Sequence, residues 1–600
     1  MGAIAGIIHL EGEVPLRDQV QQLGHGLGHR GPDDKGVIAD GRAVFAHRRT
    51  RFTHRDPREP LVTPELLVMM DGRPFNGGVD GIAERWAKNG AASLSEIDGP
   101  FALAIWDRRD ESLLLARDAI GRRPLFYAQK GTRLAFASET TPLLGLPWVS
   151  RDLALDHLSE YLSFRYVHAP RTLLQDVSAL PPGHLLRFDS RGCRVERWHR
   201  TRWAGANDPI PDALESERRI DSLLRRSVQK RLQGDLPKAL LLSGGLDSSS
   251  ILRHARDMGA QLPCFTVALS GERVDESGLA ARVAGVFDAE HHILRIDDSE
   301  IVDLLPEASR AMGQPLPTAA AVLQMLLFRQ IRPDARVLLS GDGGDEVLGG
   351  RGMARLAVLV RRSQAVGRLP GPMRRMVRRG ARRAGMFNLA ASGDHFGQDR
   401  NVGGSRVFHS EERIALLRDP GLVRPGIRRT VLEPGYQEVS ADPLNSMLAA
   451  WQRGWLPEDG LARSDRMAGA LGMEVRFPML DDALRAAAAM LPGLAKVRPL
   501  RNGSFETKAP LRSALRRVLP PRLVDRPKRL LPNPLDHWLR TSGSEYLRAV
   551  VDALSEDPDG LFVPEVVQEL ERDHREGRRN HGLRLWTLAL LWEWKRQVQR

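Results

Sequence analysis

Three short, continuous apolar runs alternate with helical patterns in the second half of the chain. They are Lys238–Leu242, Cys264–Leu269 and Arg336–Leu339, each bounded by glycine or polar residues. Strands that are buried on both faces of a parallel sheet have this pattern. The runs therefore predict an α/β domain with a parallel sheet, and the mostly helical pattern beyond about residue 350 predicts a helical extension.

The first part of the chain has a different pattern. Runs such as Phe101–Trp106, Ser112–Ala116 and Leu134–Ala137 are separated by glycine and aspartate turns, which predicts a layered antiparallel α+β domain. The polar, proline-containing stretch His199–Asp212 is typical of a linker. We therefore expect two domains, at residues 1–205 and 206–600.

Composition limits the class of protein further. The chain has 600 residues, 42% hydrophobic and 27% charged, which excludes a wholly disordered chain. Apolar runs fall short of the roughly 18 residues of a membrane span, and Leu585–Trp592 is interpreted as a buried helix face. Without a basic region before the first apolar stretch we expect no secretory signal and a soluble, cytoplasmic protein. Two cysteines, Cys193 and Cys264, are too few for a disulfide framework or a zinc site.

The net positive charge of the chain favours acidic partners in general. Lys plus Arg number 88 and Asp plus Glu 75, a net +13. The segment Arg351–Arg383 holds eleven arginines and no acid, and is either a solvated basic helix or a docking surface for an acidic partner or peptide. It lacks interleaved aromatic residues, so nucleic acid is not an expected partner.

A glycine-rich loop follows the first of the apolar runs. It reads Leu241-Leu242-Ser243-Gly244-Gly245-Leu246-Asp247-Ser248-Ser249, where a strand ends and a helix begins. Glycines let the backbone approach a phosphate, and free amides at a helix start attract anions. The serines can donate hydrogen bonds, and Asp247 can hold Mg²⁺. The loop is not of the GxxxxGK[ST] type, because no lysine follows it.

A second glycine-rich loop, Ser340-Gly341-Asp342-Gly343-Gly344-Asp345-Glu346, follows another predicted strand. Its three acids would repel each other unless a cation neutralised them. Alone it could be an exposed acidic turn. Beside a phosphate loop, we interpret Asp345 as a magnesium ligand and Asp342 as a general base.

These motifs resemble those of asparagine synthetase and its relatives in order and spacing. The second half contributes SGGLDSS, GDGGDE, Arg463–Met467, Met473–Asp481, Lys508–Arg512 and Arg526-Pro-Lys528. In the first block, His29–Asp33, Asp98–Ala102 and Arg117–Phe126 resemble the family's glutaminase domain, of the N-terminal-nucleophile hydrolase type. The resemblance covers most of residues 1–200 and 236–540, and it implies an adenine-nucleotide α-hydrolase (PP-loop) fold for the second domain.

The resemblance implies ATP- and Mg²⁺-dependent activation of a carboxylate as an acyl-adenylate, with release of pyrophosphate and attack by an amine. It implies that Asp247 and Asp345 bind magnesium and that Asp342 lies near the amine. Lys508 would stabilise negative charge on the reacting phosphate or acyl oxygen; the alternative is a surface helix lysine. The resemblance also implies that ATP contacts Val267 and residues of both loops, namely Leu241, Leu242, Ser243, Gly244, Gly245, Ser248, Ser340 and Gly341. Arg526 and Lys528 are candidates for contacts with pyrophosphate.

The N-terminal block departs from the family pattern. The family's nucleophile is a cysteine exposed by loss of Met1, and here the residue is Gly2, which has no side chain. The family's Asn-Gly-Glu, which supplies an oxyanion hole, reads Asp71-Gly72-Arg73, and a carboxylate repels an oxyanion. No Gly-Ser-Asp segment is found, although Arg49 is retained. We therefore expect a scaffold rather than an ammonia source.

β-Lactam synthetases and lasso peptide cyclases, two offshoots of the family, share these losses. β-Lactam synthetases place a tyrosine where this chain has Asp342, so the second loop is closer to that of lasso cyclases. The expected function is a lasso peptide cyclase acting on a precursor peptide, with a leader peptidase and a leader-binding protein as further partners. The alternatives are a β-lactam-forming or ammonia-dependent asparagine-forming enzyme, and a non-catalytic scaffold that binds a peptide or enzyme.

Overall fold

The computed structural model of the chain describes residues 2–51, 59–205, 207–269, 277–297, 300–350, 352–353, 369–383, 407–424, 442–526, 535–557 and 559–598. Two six-stranded antiparallel sheets come first, and a five-stranded parallel sheet with helices follows. Both parts of the predicted fold class are thereby confirmed. The boundary between residues 205 and 206 stays a prediction.

Twelve strands form the two N-terminal sheets. One sheet has the strand order β10-β8-β9-β1-β3-β2 and the other β12-β11-β7-β6-β5-β4, with antiparallel neighbours throughout. The strands are β1 (Gly2–His9), β2 (Asp34–Asp40), β3 (Ala43–Arg49), β4 (Leu61–Val62), β5 (Leu66–Gly72), β6 (Phe101–Asp107), β7 (Ser112–Arg117), β8 (Phe126–Lys130), β9 (Arg133–Ala137), β10 (Ser178–Ala179), β11 (His184–Asp189) and β12 (Gly192–Arg197).

The two sheets pack face to face, with helices on their outer faces. Side chains alternate across a strand, so Ile4 and Ile8 of β1 join the core between the sheets while Ile7 joins the core on the other face. Trp106 and Phe136 fill the centre between the sheets. Both faces are covered, which explains why the predicted strands read as apolar runs rather than as strict alternation.

Four helices belong to this part of the chain. They are α1 (Arg17–Gly26), α2 (Val79–Asn89), α3 (Thr140–Leu143) and α4 (Leu155–Phe164). Helix α2 buries Ile82 and Trp86 against Val68 and Leu103 of the second sheet. Helix α1 buries Val20 and Leu23 on the outer side of the first sheet.

The C-terminal sheet is parallel, with the strand order β15-β14-β13-β16-β17. The strands are β13 (Lys238–Leu241), β14 (Cys264–Leu269), β15 (His291–Ile296), β16 (Val337–Leu339) and β17 (Glu474–Arg476), and a hairpin of β18 (Arg498–Pro499) and β19 (Phe505–Glu506) follows. Strands β14 and β15 lie on one side of β13, and β16 and β17 lie on its other side. The strand order thus reverses between β13 and β16, and ligands bind at such a reversal in open α/β sheets.

Helices surround this sheet and extend beyond it. They are α5 (Ala213–Arg231), α6 (Leu246–Asp257), α7 (Ser277–Val286), α8 (Glu300–Met312), α9 (Ala320–Ile331), α10 (Gly344–Leu348), α11 (Gly371–Arg383), α12 (Ser410–Leu416), α13 (Pro443–Arg453), α14 (Ala462–Ala470), α15 (Asp482–Ala489), α16 (Gly493–Lys496), α17 (Ala509–Leu515), α18 (Pro521–Val524), α19 (Leu535–Trp538), α20 (Ser544–Ser555), α21 (Pro564–Arg575) and α22 (Gly582–Val598). A π-helical turn, Leu456–Leu461, precedes α14.

Helix α22 contains the apolar run Leu585–Trp592. Leu585, Trp586 and Leu588 are at most 1% exposed, as expected for a buried helix face. Among the described residues, no helix is long and apolar enough to cross a membrane.

Candidate active site

Both glycine-rich loops lie at the point where the strand order of the parallel sheet reverses. The first loop follows β13 and the second follows β16, and these two strands are hydrogen-bonded neighbours. Because parallel strands end at the same edge, the carboxyl ends of both strands place the loops side by side. A Cβ built on Gly341 would lie 2.9 Å from the Asp247 Cβ, so the two loops are in direct contact.

The first loop leads directly into a helix. Helix α6 begins at Leu246, with Gly245 as its N-cap residue. The Gly245 amide donates to Ser243 Oγ over 3.3 Å, and Ser243 Oγ lies 3.2 Å from Ser248 Oγ. A helix start that follows a glycine pair is a suitable anion site, because its amides and the helix dipole face the same side.

Lys508 joins the two loops. Its Nζ lies 2.6 Å from Asp345 Oδ1 and also bonds to Asp247 Oδ2. The lysine side chain is 4% exposed, which rules out the alternative of a surface lysine. Burial acts to lower the pKa of Lys508, but the two carboxylates outweigh it and the net pKa is raised. Lys508 also has a left-handed backbone (φ 53°), a strained conformation that is typical of functional sites.

Two glycines make this close packing possible. A Cβ on Gly344 would lie 2.3 Å from Asp247 Oδ1, and one on Gly350 would lie 1.8 Å from Asp345 Oδ1. Any larger residue would push a carboxylate out of the cluster. Gly344 of the second loop is therefore required by its contact with Asp247, and Gly350, which follows α10, by its contact with Asp345.

The residues present fit a magnesium ion that is shared with phosphates. Asp247 Oδ1 is buried and hydrogen-bonds to no residue that the structure describes. The described residues contain no group of three acids, histidines or cysteines that could hold a metal alone. Mg²⁺ is commonly bound by one or two carboxylates together with substrate phosphates, and Asp247 and Asp345 supply that number.

The other predicted site residues are distributed around this cluster. Asp342 accepts a hydrogen bond from Ser340 Oγ at 2.9 Å, so its carboxylate is held against its own loop. Val267 lies on β14, the strand beside β13. Arg526 lies just beyond α18 and is partly buried. Lys528 lies outside the described residues.

Buried charged side chains surround Arg30, whose guanidinium donates to the Gly2 carbonyl. Four basic and four acidic side chains, each at most 7% exposed, form a buried ion-pair network: Arg30, Asp71, Arg123, Glu139, Asp465, Arg466, Glu474 and Arg476. Half of these residues precede the predicted linker and half follow it. The network thus connects the N-terminal sheets to the C-terminal helices and sheet.

Arg30 is the centre of the buried ion-pair network. Its guanidinium forms two hydrogen bonds to Asp465, at 2.8 and 3.2 Å, and single bonds to Asp71 and Glu139 at 3.2 and 3.1 Å. Burial acts to raise the pKa of Asp465, but Arg30 and Arg123 outweigh it and the pKa is lowered. The pKa of Glu139 is lowered as well, by Arg466, His29 and Arg30 against the opposing effect of burial.

The predicted remnants of the glutamine site are also engaged with the chain itself. The Gly2 amide donates to Asp71 Oδ1 over 3.1 Å, and Arg30 Nε donates to the Gly2 carbonyl over 3.0 Å. Arg49, which the sequence retains, lies 3.8 Å from Glu59 Oε1. Burial raises the pKa of Glu59 to about 7, against the opposing effect of Arg49.

A cavity of about 30 Å³ lies between strands of the first part of the chain and the π-helical turn with α14. Polar and aromatic side chains line it, among them Arg117, Tyr161, Tyr166, Glu458 and Arg466. Burial raises the pKa of Glu458. The volume suffices for about two water molecules and not for an amino acid or a nucleotide.

Sequence reasoning did not identify the buried ion-pair network. Arg30, Arg123, Asp465 and Glu474 all occur within the motifs from which the family resemblance was drawn. The sequence feature that indicates the network is the presence of charged residues within apolar segments, such as Glu474 and Arg476 within Met473–Met479. That feature shows that a charge is buried but does not reveal its partner.

The fold and site together define a class of protein. Layered antiparallel sheets of the glutaminase type are joined to a parallel sheet whose two loops carry a phosphate-type site with acids and a lysine. This is the arrangement of an ATP-dependent amide-forming ligase that releases AMP and pyrophosphate.

The chain belongs to the asparagine synthase family. The family model matches residues 219–596, and a glutamine amidotransferase domain model matches residues 71–199. A Mycobacterium tuberculosis protein that bears the name of a glutamine-hydrolyzing asparagine synthetase is 29% identical, over 96% of this chain and 93% of its own length. The Bacillus subtilis asparagine synthetase (glutamine-hydrolyzing) 1 is 26% identical over the same shares.

Solved structures are more distant. The allosteric regulatory enzyme of purine biosynthesis aligns with a TM-score of 0.26 at 15% identity, over 49% of this chain and 80% of that chain. A glutamine-dependent NAD⁺ synthetase from Acinetobacter baumannii aligns with a TM-score of 0.17 at 15% identity, over 34% and 41%.

Proposed function

We propose that this ligase is a lasso peptide cyclase. It would activate an aspartate or glutamate side chain of a precursor core peptide with ATP, and join that side chain to the peptide's N-terminal amine as an isopeptide bond. The proposal rests on family membership together with one observation, the occupation of the glutaminase position by Gly2 and the buried ion-pair network.

That observation bears on the source of the amine. Glutamine hydrolysis in this fold needs a nucleophile, an oxyanion hole and room for glutamine. Gly2 offers no nucleophile, Asp71 offers a carboxylate that accepts from the Gly2 amide, and Arg30 donates to both residues. Because the chain has no means of liberating ammonia at this position, the amine is supplied by a substrate. An N-terminal amine on the same molecule as the acid meets this requirement.

The roles of the site residues follow from their positions. Asp247 and Asp345 would hold Mg²⁺, which supplies charge neutralisation of the ATP phosphates. The amides of Gly244 and Gly245 would donate to phosphate oxygens. Lys508, already between the two loops, would stabilise negative charge as pyrophosphate leaves. Asp342 would accept the proton of the attacking amine, and Arg526 and Lys528 would contact pyrophosphate.

The remaining task of the enzyme is to order its substrate. A free peptide rarely brings its N-terminus to an internal side chain while its tail passes through the ring, because that arrangement costs chain entropy. Holding the amine beside the activated acid converts an improbable encounter into a local reaction. A leader peptidase and a leader-binding protein, which would expose and deliver the N-terminal amine, are proposed partners.

A second candidate is an ammonia-dependent asparagine synthetase. The two relatives, similar over 96% of the chain, are named as glutamine-hydrolyzing asparagine synthetases, which supports asparagine formation, while Gly2 at the nucleophile position would leave free ammonia as the nitrogen source. A β-lactam-forming enzyme is a third candidate, which the aspartate at position 342 makes less suitable than the first.

Mass spectrometry of products distinguishes the three candidates. The purified chain would be incubated with ATP, Mg²⁺ and candidate core peptides that carry a free N-terminus and an internal acid. We expect loss of one water per peptide, one pyrophosphate per product, and resistance of the product to aminopeptidase. A matched peptide whose acceptor acid is replaced by its amide should remain linear. Asparagine formed from aspartate and ammonium ions, with no peptide product, would contradict the proposal, as would a β-lactam formed from a β-amino acid.

A further inference from the structure

The helix α11 carries an apolar stripe within the arginine-rich segment. Met373, Met376, Val377, Gly380 and Ala381 recur at the spacing of a single helix face. The other positions from 374 to 383 are all arginine. The sequence therefore forms a basic amphipathic helix, about 20 Å long at 1.5 Å per residue.

The two methionines of the stripe are exposed, whereas Val377 is half-buried. Met373 is 50% exposed and Met376 is 67% exposed. Arg375 and Arg379 are exposed as well. Large apolar side chains in water are unfavourable by about 25 cal/mol for each Å² of apolar surface, so an exposed pair of methionines among arginines indicates a surface that another partner covers.

We propose that α11 docks on an anionic lipid surface. The arginines require a partner with negative charge, and guanidinium groups pair with phosphates through two hydrogen bonds. The methionine stripe requires an apolar layer directly beside that charge. A bilayer interface presents phosphates and acyl chains at these two neighbouring levels, and basic amphipathic helices lie in it with the apolar face inward.

An acidic peptide fits this helix less well. A bound peptide needs a groove with pockets for its side chains, whereas Met373 and Met376 are at least half exposed on a single helix. Arginines on an exposed helix would attract an acidic peptide but would leave the methionines in water. Helix α11 contains none of the residues assigned to the ATP site, so docking on lipid does not depend on the identity of the peptide substrate.

Vesicle flotation with the full chain tests the proposal. We expect binding to vesicles of phosphatidylcholine with a quarter phosphatidylglycerol, at least tenfold weaker binding to pure phosphatidylcholine, and weakening as salt is raised. The double variant Met373→Ser/Met376→Ser, which keeps every charge, and the double variant Arg375→Gln/Arg379→Gln, which keeps the stripe, should each bind at least fivefold more weakly.

Arg225→Gln/Arg226→Gln is the matched control, because both arginines are exposed on another helix, α5. It should bind vesicles like the unchanged chain. Circular dichroism and ATP-dependent pyrophosphate release should be the same in all variants, which separates a failure of docking from a failure to fold or of the catalytic proposal. Equal binding to both vesicles, no binding, or full binding by the methionine variant would overturn the proposal. So would retention by polyglutamate without retention by vesicles.

Discussion

Two buried charge clusters, one on each side of the predicted linker, differ in how completely the protein satisfies them. The buried ion-pair network has four positive and four negative side chains, none more than 7% exposed. The cluster of Asp247, Asp345 and Lys508 has two carboxylates against one ammonium, and the carboxylates are 17% and 12% exposed. The first cluster has equal numbers of positive and negative side chains, while the second retains net negative charge and a buried oxygen, Asp247 Oδ1, that accepts no hydrogen bond from a described residue.

This difference separates a structural cluster from a ligand site. Buried charges are tolerated when each has a partner, and a balanced network has no capacity left for glutamine. An unbalanced cluster at the edge of a parallel sheet can take a further cation together with the phosphates that the cation carries. On the function proposed above, the cluster of Asp247, Asp345 and Lys508 would serve ATP, and the N-terminal part would release no ammonia.

The largest effect on activity is expected from a substitution in the cluster of Asp247, Asp345 and Lys508. Asp247→Asn keeps the shape of the side chain but removes its charge, so we expect pyrophosphate release to fall by about 100-fold or more. Asp257→Asn, at the exposed end of the same helix, is the control and should retain activity. Turnover of Asp247→Asn within twofold of the unchanged chain would refute the magnesium assignment.

A substitution in the buried ion-pair network should instead lower the stability of the folded protein. Arg30→Met leaves three buried carboxylates without their shared guanidinium, and we expect a loss of about 3–5 kcal/mol in the free energy of unfolding by urea. Arg329→Met, which removes an exposed pair with Glu307, should change it little. A small effect of Arg30→Met would mean that the network is not a structural connection between the two parts.

The pH dependence of stability tests the surroundings of Arg49. Glu59 has a pKa of about 7 in the folded chain against 4.5 for the ordinary side chain. Between these values the folded state holds a proton that the unfolded state has lost, so the free energy of unfolding falls as pH rises. Relative to Glu59→Gln, the unchanged chain should lose as much as about 3 kcal/mol from pH 4.5 to 7.5. Parallel pH profiles of the two proteins would show that Glu59 is ionised throughout.

The smallest effect concerns the lost nucleophile. Gly2→Cys, after removal of Met1, should release no glutamate from glutamine above background. A Cβ at this position would lie 2.8 Å from the Arg48 carbonyl oxygen, and Asp71 and Arg30 remain in place. A glutaminase assay with mass-spectrometric proof of the free N-terminal cysteine checks this. Measurable ammonia release would show that the network leaves room for glutamine.

The two glycine-rich loops could be predicted from the sequence because the features that indicate them lie close together in the chain. A buried strand, a glycine pair and a helix start occur within a dozen residues around Ser243, and the second loop repeats the arrangement around Gly341. The parallel sheet and the N-terminal antiparallel layers were predicted from apolar runs in the same way. The ion pairs of Lys508 with Asp247 and Asp345 were not predicted, since Asp247 lies 261 residues away in the chain and no local pattern connects them.

The sequence by itself determined the class of fold, the two loops and the absence of a nucleophile at position 2, because periodicity, turn residues and side-chain identity are properties of neighbouring residues. Only the tertiary structure decided that Arg30 and Asp465, 435 residues apart, form a buried ion pair between the two parts of the chain. Pairing of buried charges depends on which surfaces meet when the two parts pack, and no local pattern encodes it. The tertiary structure likewise decided that Met373 and Met376 stay in water, because a helix's own periodicity does not determine what covers its apolar face.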